Sequence, residues 1–140
     1  MGEARGVRPV LAGIAYWAMV FALGFVLGTL RVLWLAPALG LVAATVIELP
    51  VMLAASWWAA RWLLRRFAIR TGGAALAMGA LAFVLLMAAE LALGVAAFGQ
   101  TPAQWLAGLA EPQGALGLAG QVVFALMPWL AVRRRGVTSS

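Results

Sequence analysis

The sequence contains no cysteine, histidine, lysine or aspartate, and only 10% of its residues are charged. Without cysteine or histidine, the chain cannot form thiolate or imidazole metal sites, ligate haem through histidine, or use these residues as nucleophiles. Phosphate-binding glycine loops and the HExxH and GxSxG motifs are also absent. We therefore expect neither an enzyme nor a protein with a bound cofactor or metal.

Hydrophobic residues, in contrast, make up 66% of the 140-residue chain, and its mean hydropathy is +1.04. An average soluble domain is about half apolar and a quarter charged. The composition therefore predicts an integral membrane protein. The net charge of +6 comes from ten Arg residues against four Glu residues. Because these Arg residues lie where membrane topology requires them, we expect membrane lipid as a partner and no nucleic acid.

Four stretches of the chain are long enough to cross a bilayer as helices, which takes roughly 20 mostly apolar residues. They cover about residues 9–34, 38–62, 74–98 and 115–132. The first stretch is too long for the apolar part of a signal peptide. The sequence thus predicts an all-α fold, a single transmembrane domain over residues 1–140 with four helices in up-down-up-down order.

The first two predicted helices are joined by a short connection at residues 36–40. Pro9 and Pro37 suit the first turns of these helices, where a missing N–H group costs little. At the other end of the chain, we expect residues 136–140, which follow the last Arg cluster, to be disordered.

The last two predicted helices are joined by a longer connection, residues 99–114. In it, Thr101 and Gln104 form the pattern of a capping box, with Pro102 at the first helical position. We predict a short helix lying in the outer membrane interface, anchored by Trp105. An irregular loop that dips into the headgroups is the alternative.

The Arg residues indicate the orientation of the protein. Nine of the ten fall on one side of the predicted bundle: Arg5, Arg8, Arg61, Arg65, Arg66, Arg70, Arg133, Arg134 and Arg135. The positive-inside rule makes that side cytoplasmic and places both termini there. Arg as the only basic residue, with abundant Ala, Gly and Leu, is typical of a GC-rich bacterial genome. We therefore expect a multi-pass protein of the bacterial inner membrane.

An aromatic and basic collar lies at the cytoplasmic end of the second predicted helix. It consists of Trp57, Trp58, Arg61, Trp62, Arg65 and Arg66. Interfacial Trp and snorkelling Arg occur in membrane-spanning helices generally, so the simplest interpretation is an anchor. The same collar would also attract anionic lipid headgroups.

The informative residues are polar side chains inside the predicted spans. Glu48 and Glu90 lie too far from a helix end to snorkel, and a charge there costs at least about 2.5–3.5 kcal/mol unless it faces protein or water. Two residues that are equally far from the turn of an antiparallel hairpin lie at the same depth in the membrane. This rule places Glu48 level with Glu90, Arg31 level with Glu48, and Glu90 level with Gln121. We therefore predict an intramembrane polar layer of Arg31, Glu48, Glu90 and Gln121.

Two interpretations of this layer are open. As a functional site, Arg31 would pair with one carboxylate and the other would be protonated. Pro50 would bend the second helix and free the carbonyl of Val46, as transporters do at broken helices. As a structural feature, the layer would lock the bundle with polar bonds, or Arg31 would snorkel outward.

The stretch of residues 24–66 carries Gly24, Gly28, Arg31, Pro37, Gly40, Glu48, Pro50, Met52, Ser56, Trp57, Arg61 and Trp62. With this pattern the chain resembles a group of small four-span bacterial inner-membrane proteins. The resemblance implies a four-helix inner-membrane fold and no function. Exporters of the small multidrug family share the size, the span count and a membrane-embedded Glu. Here, however, the acids lie in the second and third spans, and the charge asymmetry is strong.

Two functions follow from these observations. The favoured one is an accessory or scaffolding membrane subunit that packs through its helices, as a homo-oligomer or in a larger membrane complex. The alternative is a small oligomeric transporter or proton-linked permease that uses Glu48 or Glu90. The first is favoured because, outside the layer, few polar residues are available to line a pathway: Tyr16, Thr29, Thr45 and Ser56.

Overall fold

The computed structural model describes the backbone of residues 2–138 and the side chains of residues 6–136, and all regular structure in this part of the chain is helical. The helical segments are α1 (Gly2–Leu30), a π-helical segment (Arg31–Leu35), α2 (Ala36–Leu39), α3 (Leu41–Arg66), α4 (Gly72–Phe98), α5 (Pro102–Gly108) and α6 (Pro112–Thr138). Four stretches are long and apolar enough to cross a membrane: Gly6–Leu39, α3, α4 and Pro112–Gly136. The prediction of an all-α fold with four helices suited to span a membrane is confirmed.

The prediction that residues 36–40 form the connection between the first two helices is wrong. The first helix continues through the π-helical segment and α2 to Leu39, and Gly40 alone separates it from α3. Gly40 has φ +88° and ψ 158°, a conformation open essentially only to glycine, which is why one residue suffices for the break. Pro37 lies in the first turn of α2, as its fixed φ favours, but Pro9 lies inside α1.

The turn between α3 and α4 is a Schellman motif with an unusual residue. Ala68 has φ 52°, in the left-handed region that usually takes glycine. The amide of Ile69 donates to the carbonyl of Leu64 at 2.9 Å, and the amide of Ala68 donates to that of Arg65 at 3.3 Å. Ile69 is buried beneath the turn. Thr71 then caps α4 by accepting a hydrogen bond from the amide of Ala74.

The connection between α4 and α6 contains the predicted short helix, α5. Thr101 and Gln104 form the capping box, with each side chain bonded to the other residue's amide, at 3.1 and 2.9 Å. The alternative of an irregular loop is therefore wrong, while the interfacial location of α5 stays a prediction. The last helix, α6, is longer than predicted because it starts at Pro112 and ends at Thr138. The expected disorder of residues 136–138 is therefore wrong. Residues 139–140 lie outside the described part of the chain.

Packing divides the bundle into two halves. Helices α1 and α6 each pack against both α3 and α4. The packed half contains most of the buried side chains: Ala12, Tyr16, Val20, Ser56, Ala59, Ala60, Leu63, Leu64, Ala75, Met78, Ala82, Leu86, Phe124, Met127, Pro128 and Ala131. The open half consists of residues 21–55 and 87–123, among which only Ala44, Thr45 and Gly94 are buried.

Small residues explain why the packed half closes. A Cβ atom at Gly79 of α4 would overlap the backbone carbonyl of Ala125 in α6. A Cβ atom at Gly13 of α1 would come within 2.9 Å of the carbonyl oxygen of Met78. Helices that touch backbone to backbone in this way need glycine at the contact, as small residues allow throughout membrane proteins.

Candidate intramembrane binding site

The structure brings the four residues of the polar layer together as two pairs. Arg31 Nη1 donates to Glu48 Oε2 at 2.7 Å, which forms a salt bridge between the first helix and α3. Gln121 Nε2 donates to Glu90 Oε1 at 2.5 Å and links α6 to α4.

The position of Arg31 depends on the π-helical segment that begins with it. The amide of Ala36 donates to the carbonyl of Arg31, five residues back, which widens the helix at this point. Such segments are frequent at functional sites. Because the helix continues to Leu39, Arg31 lies two turns below its end, and its guanidinium turns toward Glu48. The outward-snorkelling alternative for Arg31 is therefore wrong.

Both pairs line a cleft of about 740 Å³ in the open half of the bundle. Its walls are mostly apolar, with Phe21, Phe25, Leu49, Leu93, Phe98 and Leu118 among them. The charged residues that line it are Arg31, Glu48 and Glu90. The arrangement is an apolar pocket with a small polar centre, which is typical of ligand sites.

The hydroxyl groups around the cleft are occupied within their own helices. Thr29, Thr45 and Ser56 each donate to the carbonyl four residues earlier, at 2.7 to 2.8 Å. Among the described residues, the cleft retains two buried side-chain atoms without a partner, Arg31 Nε and Gln121 Oε1. The unsatisfied hydrogen-bonding capacity therefore lies in the polar layer.

The connection that contains α5 closes one end of the cleft. Gln100, Trp105 and Leu109 contribute to the lining, together with Gln113 in the first turn of α6. Trp105 is half-buried and lies over Gly94 of α4, where a Cβ atom would be 3.4 Å from the Trp105 ring. The sequence suggested only an interfacial anchor for Trp105, because hydropathy carries no information on which way a loop residue faces.

Pro50 does not supply the cleft with a free acceptor. It lies inside α3 and cannot donate to the carbonyl of Val46. Val46, however, is half exposed and is not part of the cleft lining. The predicted free acceptor beside Glu48 is therefore not part of this site.

Sequence reasoning missed the structural role of Tyr16. Pro128 of α6 has no N–H group to donate to the carbonyl of Phe124, four residues earlier. Tyr16, which is completely buried, donates its hydroxyl to that carbonyl at 2.7 Å. Its ring also stacks on Phe124 with centroids 4.2 Å apart. The proline at position 128 was the available signal, since it leaves a carbonyl that some buried donor must satisfy.

The aromatic and basic collar lies at the end of α3, away from the cleft. Trp58 and Trp62 are 60% and 42% exposed and stack on each other. Trp57 packs beneath the guanidinium of Arg134, whose carbon lies 5.6 Å from the ring centre. The remaining members, Arg61, Arg65 and Arg66, are exposed. Binding of lipid headgroups by the collar stays a prediction.

Comparison with known proteins adds no relative. No family model matches the chain, no curated protein matches it, and no solved structure matches its fold. The fold and the cleft therefore define the protein only as a small multi-pass membrane protein with an intramembrane cavity. The resemblance to small four-span bacterial proteins stays a prediction.

Proposed function

We propose that the protein binds a small amphipathic molecule in its intramembrane cleft, as a proton-linked permease does. The observation that carries this proposal is the cleft itself, about 740 Å³ of mostly apolar space with the polar layer at its centre. Pockets for small ligands measure roughly 300–1,000 Å³. The cleft therefore falls within the size range of small-molecule pockets.

The proposal includes a location in the bacterial inner membrane, with both termini in the cytoplasm and α5 on the outer side. Contacts at the end of α6 support this arrangement. Arg135 donates to the carbonyl of Arg61, and Arg134 covers Trp57, so the basic ends of α3 and α6 lie together. Alkaline phosphatase fused to the C-terminus should be inactive, and fused within residues 109–111 it should be active. The opposite pattern would contradict the orientation.

A second candidate is the accessory or scaffolding subunit that the sequence favoured. The observation in its favour is that both pairs of the polar layer form between helices of the same chain. Interhelical hydrogen bonds of this kind stabilise membrane bundles without any ligand. In this case the cleft would be filled by lipid tails, and amphiphiles would enter it without selectivity.

Quenching of Trp105 fluorescence by a brominated amphiphile distinguishes the two functions. The probe is 4-(4-bromophenyl)butanol, added to the protein in phosphatidylcholine nanodiscs, with Trp105→Phe as the control that identifies the signal. We expect saturable quenching in the wild type. It should be lost in Gly117→Phe, because residue 117 lines the cleft with open space beside it.

The matched control is Gly73→Phe, which places the same side chain in open space outside the cleft. This variant should bind the probe as the wild type does. Quenching that never saturates and is equal in all three proteins would contradict the binding function and leave the accessory role.

A further inference from the structure

We infer that the ligand of the cleft is an organic monocation, an ammonium group on an apolar body, that exchanges with a proton at Glu90. This inference rests on the proposed function and specifies its substrate class.

The charges that line the cleft decide the sign of the ligand. Arg31 and Glu48 neutralise each other at 2.7 Å. Among the described side chains, Glu90 is hydrogen-bonded only to the neutral amide of Gln121, so with all three groups ionised the cleft carries a net charge of −1. From the helices packed around Glu90, the first helix contributes Arg31, α3 contributes Glu48 and α6 contributes no charged group to the lining. One positive charge on the ligand balances this arrangement.

The free acceptor atoms favour an ammonium group over other cations. Gln121 uses its amide nitrogen to bind Glu90, which leaves its buried oxygen without a donor. Within the described part of the chain, Oε1 is the hydrogen-bonded oxygen of Glu90, so Oε2 is a second acceptor. An N–H group can donate to both atoms. The other unpartnered atom of the cleft, Arg31 Nε, is a donor, but the charge of its guanidinium is already balanced by Glu48. An anion bound there would add a second negative charge beside the Glu48 carboxylate, and like charges at close range cost several kcal/mol.

The walls of the cleft fit the apolar body of such a ligand. Phe21, Phe25, Phe98 and Phe124 line it together with Trp105. These rings offer apolar surface to a hydrocarbon chain, and their faces attract a nearby cation. The volume of about 740 Å³ leaves space for a body of drug-like size.

Proton exchange follows from the cost of an unbalanced charge. In an apolar site a carboxylate without a charged partner is much less favourable than its neutral acid, so Glu90 of the empty cleft holds a proton. When the cation binds, this proton leaves to water and the carboxylate forms. The cleft is neutral before and after the exchange, with one proton released for each cation bound.

Isothermal titration with three probes of matched shape tests this inference. The probes are 4-phenylbutylammonium, the neutral 4-phenylbutanol and the anionic 4-phenylbutyrate, each added to protein in phosphatidylcholine nanodiscs. We expect the wild type to bind the ammonium about tenfold or more tightly than the alcohol, as one charge-assisted hydrogen bond provides. Repeating the titration in buffers of different ionisation enthalpy should show release of about one proton at neutral pH.

Two variants locate the effect. Glu90→Gln should bind the ammonium and the alcohol equally and release no proton. Gln121→Met removes the free acceptor while Glu90 remains, so it should weaken ammonium binding more than alcohol binding, because the bond from the ammonium is charge-assisted. If Glu90→Gln does not fold, the Gln121→Met variant still tests the inference.

The outcomes separate this inference from the proposed function. Equal binding of ammonium and alcohol to the wild type without proton release would overturn the inference and leave the binding cleft standing. Preference for the butyrate would overturn it as well. Binding of none of the three probes would overturn both.

Discussion

The two halves of the bundle differ in how their helices meet. In the packed half, backbones touch at Gly13 and Gly79, and Tyr16 ties α1 to α6. In the open half, two polar pairs hold the helices around a cleft. Lipid tails are as apolar as leucine, so hydrophobicity does not decide where membrane helices close. Interhelical hydrogen bonds occur in both halves, whereas the backbone contacts at Gly13 and Gly79 lie in the packed half, so close approach at glycine is what distinguishes it.

The largest effect should come from breaking a polar pair of the open half. Glu48→Gln leaves the Arg31 guanidinium without its carboxylate inside the membrane, and losing one partner of a buried pair typically costs about 3–5 kcal/mol. We expect the free energy of unfolding, measured by denaturant titration in mixed micelles, to fall by this order. Glu111→Gln is the control, because Glu111 is exposed in the connection before α6.

The double variant Arg31→Met with Glu48→Leu sharpens this test. Replacing both charges by apolar side chains should recover most of the lost stability. If the double variant is as unstable as Glu48→Gln, the salt bridge is not what the single substitution breaks.

A smaller loss should follow from a methyl group in the packed half. Gly79→Ala forces the Ala125 carbonyl of α6 away, and overpacking of this kind costs about 1–3 kcal/mol. Gly117→Ala adds the same methyl group to the open half, where space is free. It should be neutral or stabilising by about 0.5–1 kcal/mol, because alanine favours helix. Equal effects of the two substitutions would contradict the division into halves.

Removing the buried hydroxyl of Tyr16 should lower the free energy of unfolding somewhat less than Gly79→Ala does. Tyr16→Phe leaves the Phe124 carbonyl without a donor, at a cost of about 1–2 kcal/mol in unfolding free energy. Thr29→Val also removes a hydroxyl, but the Phe25 carbonyl it contacts keeps its helical N–H donor. This control should change stability by less than about 0.5 kcal/mol. A Pro128→Ala background should remove the effect of Tyr16→Phe, since alanine supplies the missing N–H.

The smallest effect is expected at the turn between α3 and α4, and it should be stabilising. Ala68→Gly relieves a left-handed conformation, φ 52°, that costs an L-residue roughly 1 kcal/mol. Ala77→Gly, on an exposed face of α4, should destabilise by about 0.5–1 kcal/mol instead. Thermal unfolding of both variants should therefore shift in opposite directions, and a shared direction would contradict the Schellman geometry.

The sequence was sufficient for the features that composition and spacing control. Four apolar stretches predicted the helices, and the capping pattern predicted α5. Hairpin distances also selected Arg31, Glu48, Glu90 and Gln121, which the structure brings into two contacting pairs.

Other features depend on how helices face each other, which hydropathy does not record. The π-helical segment continues the first helix to Leu39, and no residue in it signals that the loop begins later. The cleft follows from the separation of the helices in the open half, a property of several elements at once. The bond from Tyr16 could have been anticipated, because Pro128 leaves the Phe124 carbonyl unpaired.

The accessibility of a single thiol in each half tests the account most directly. The chain contains no cysteine, so an introduced thiol is the only one present. Gly117→Cys faces the cleft, and Met78→Cys lies in the packed half, where Met78 is completely buried. With a cationic methanethiosulfonate reagent, we predict rapid modification of Gly117→Cys, slowed by 4-phenylbutylammonium, and none of Met78→Cys. Equal reactivity of the two thiols would contradict an open, ligand-binding half.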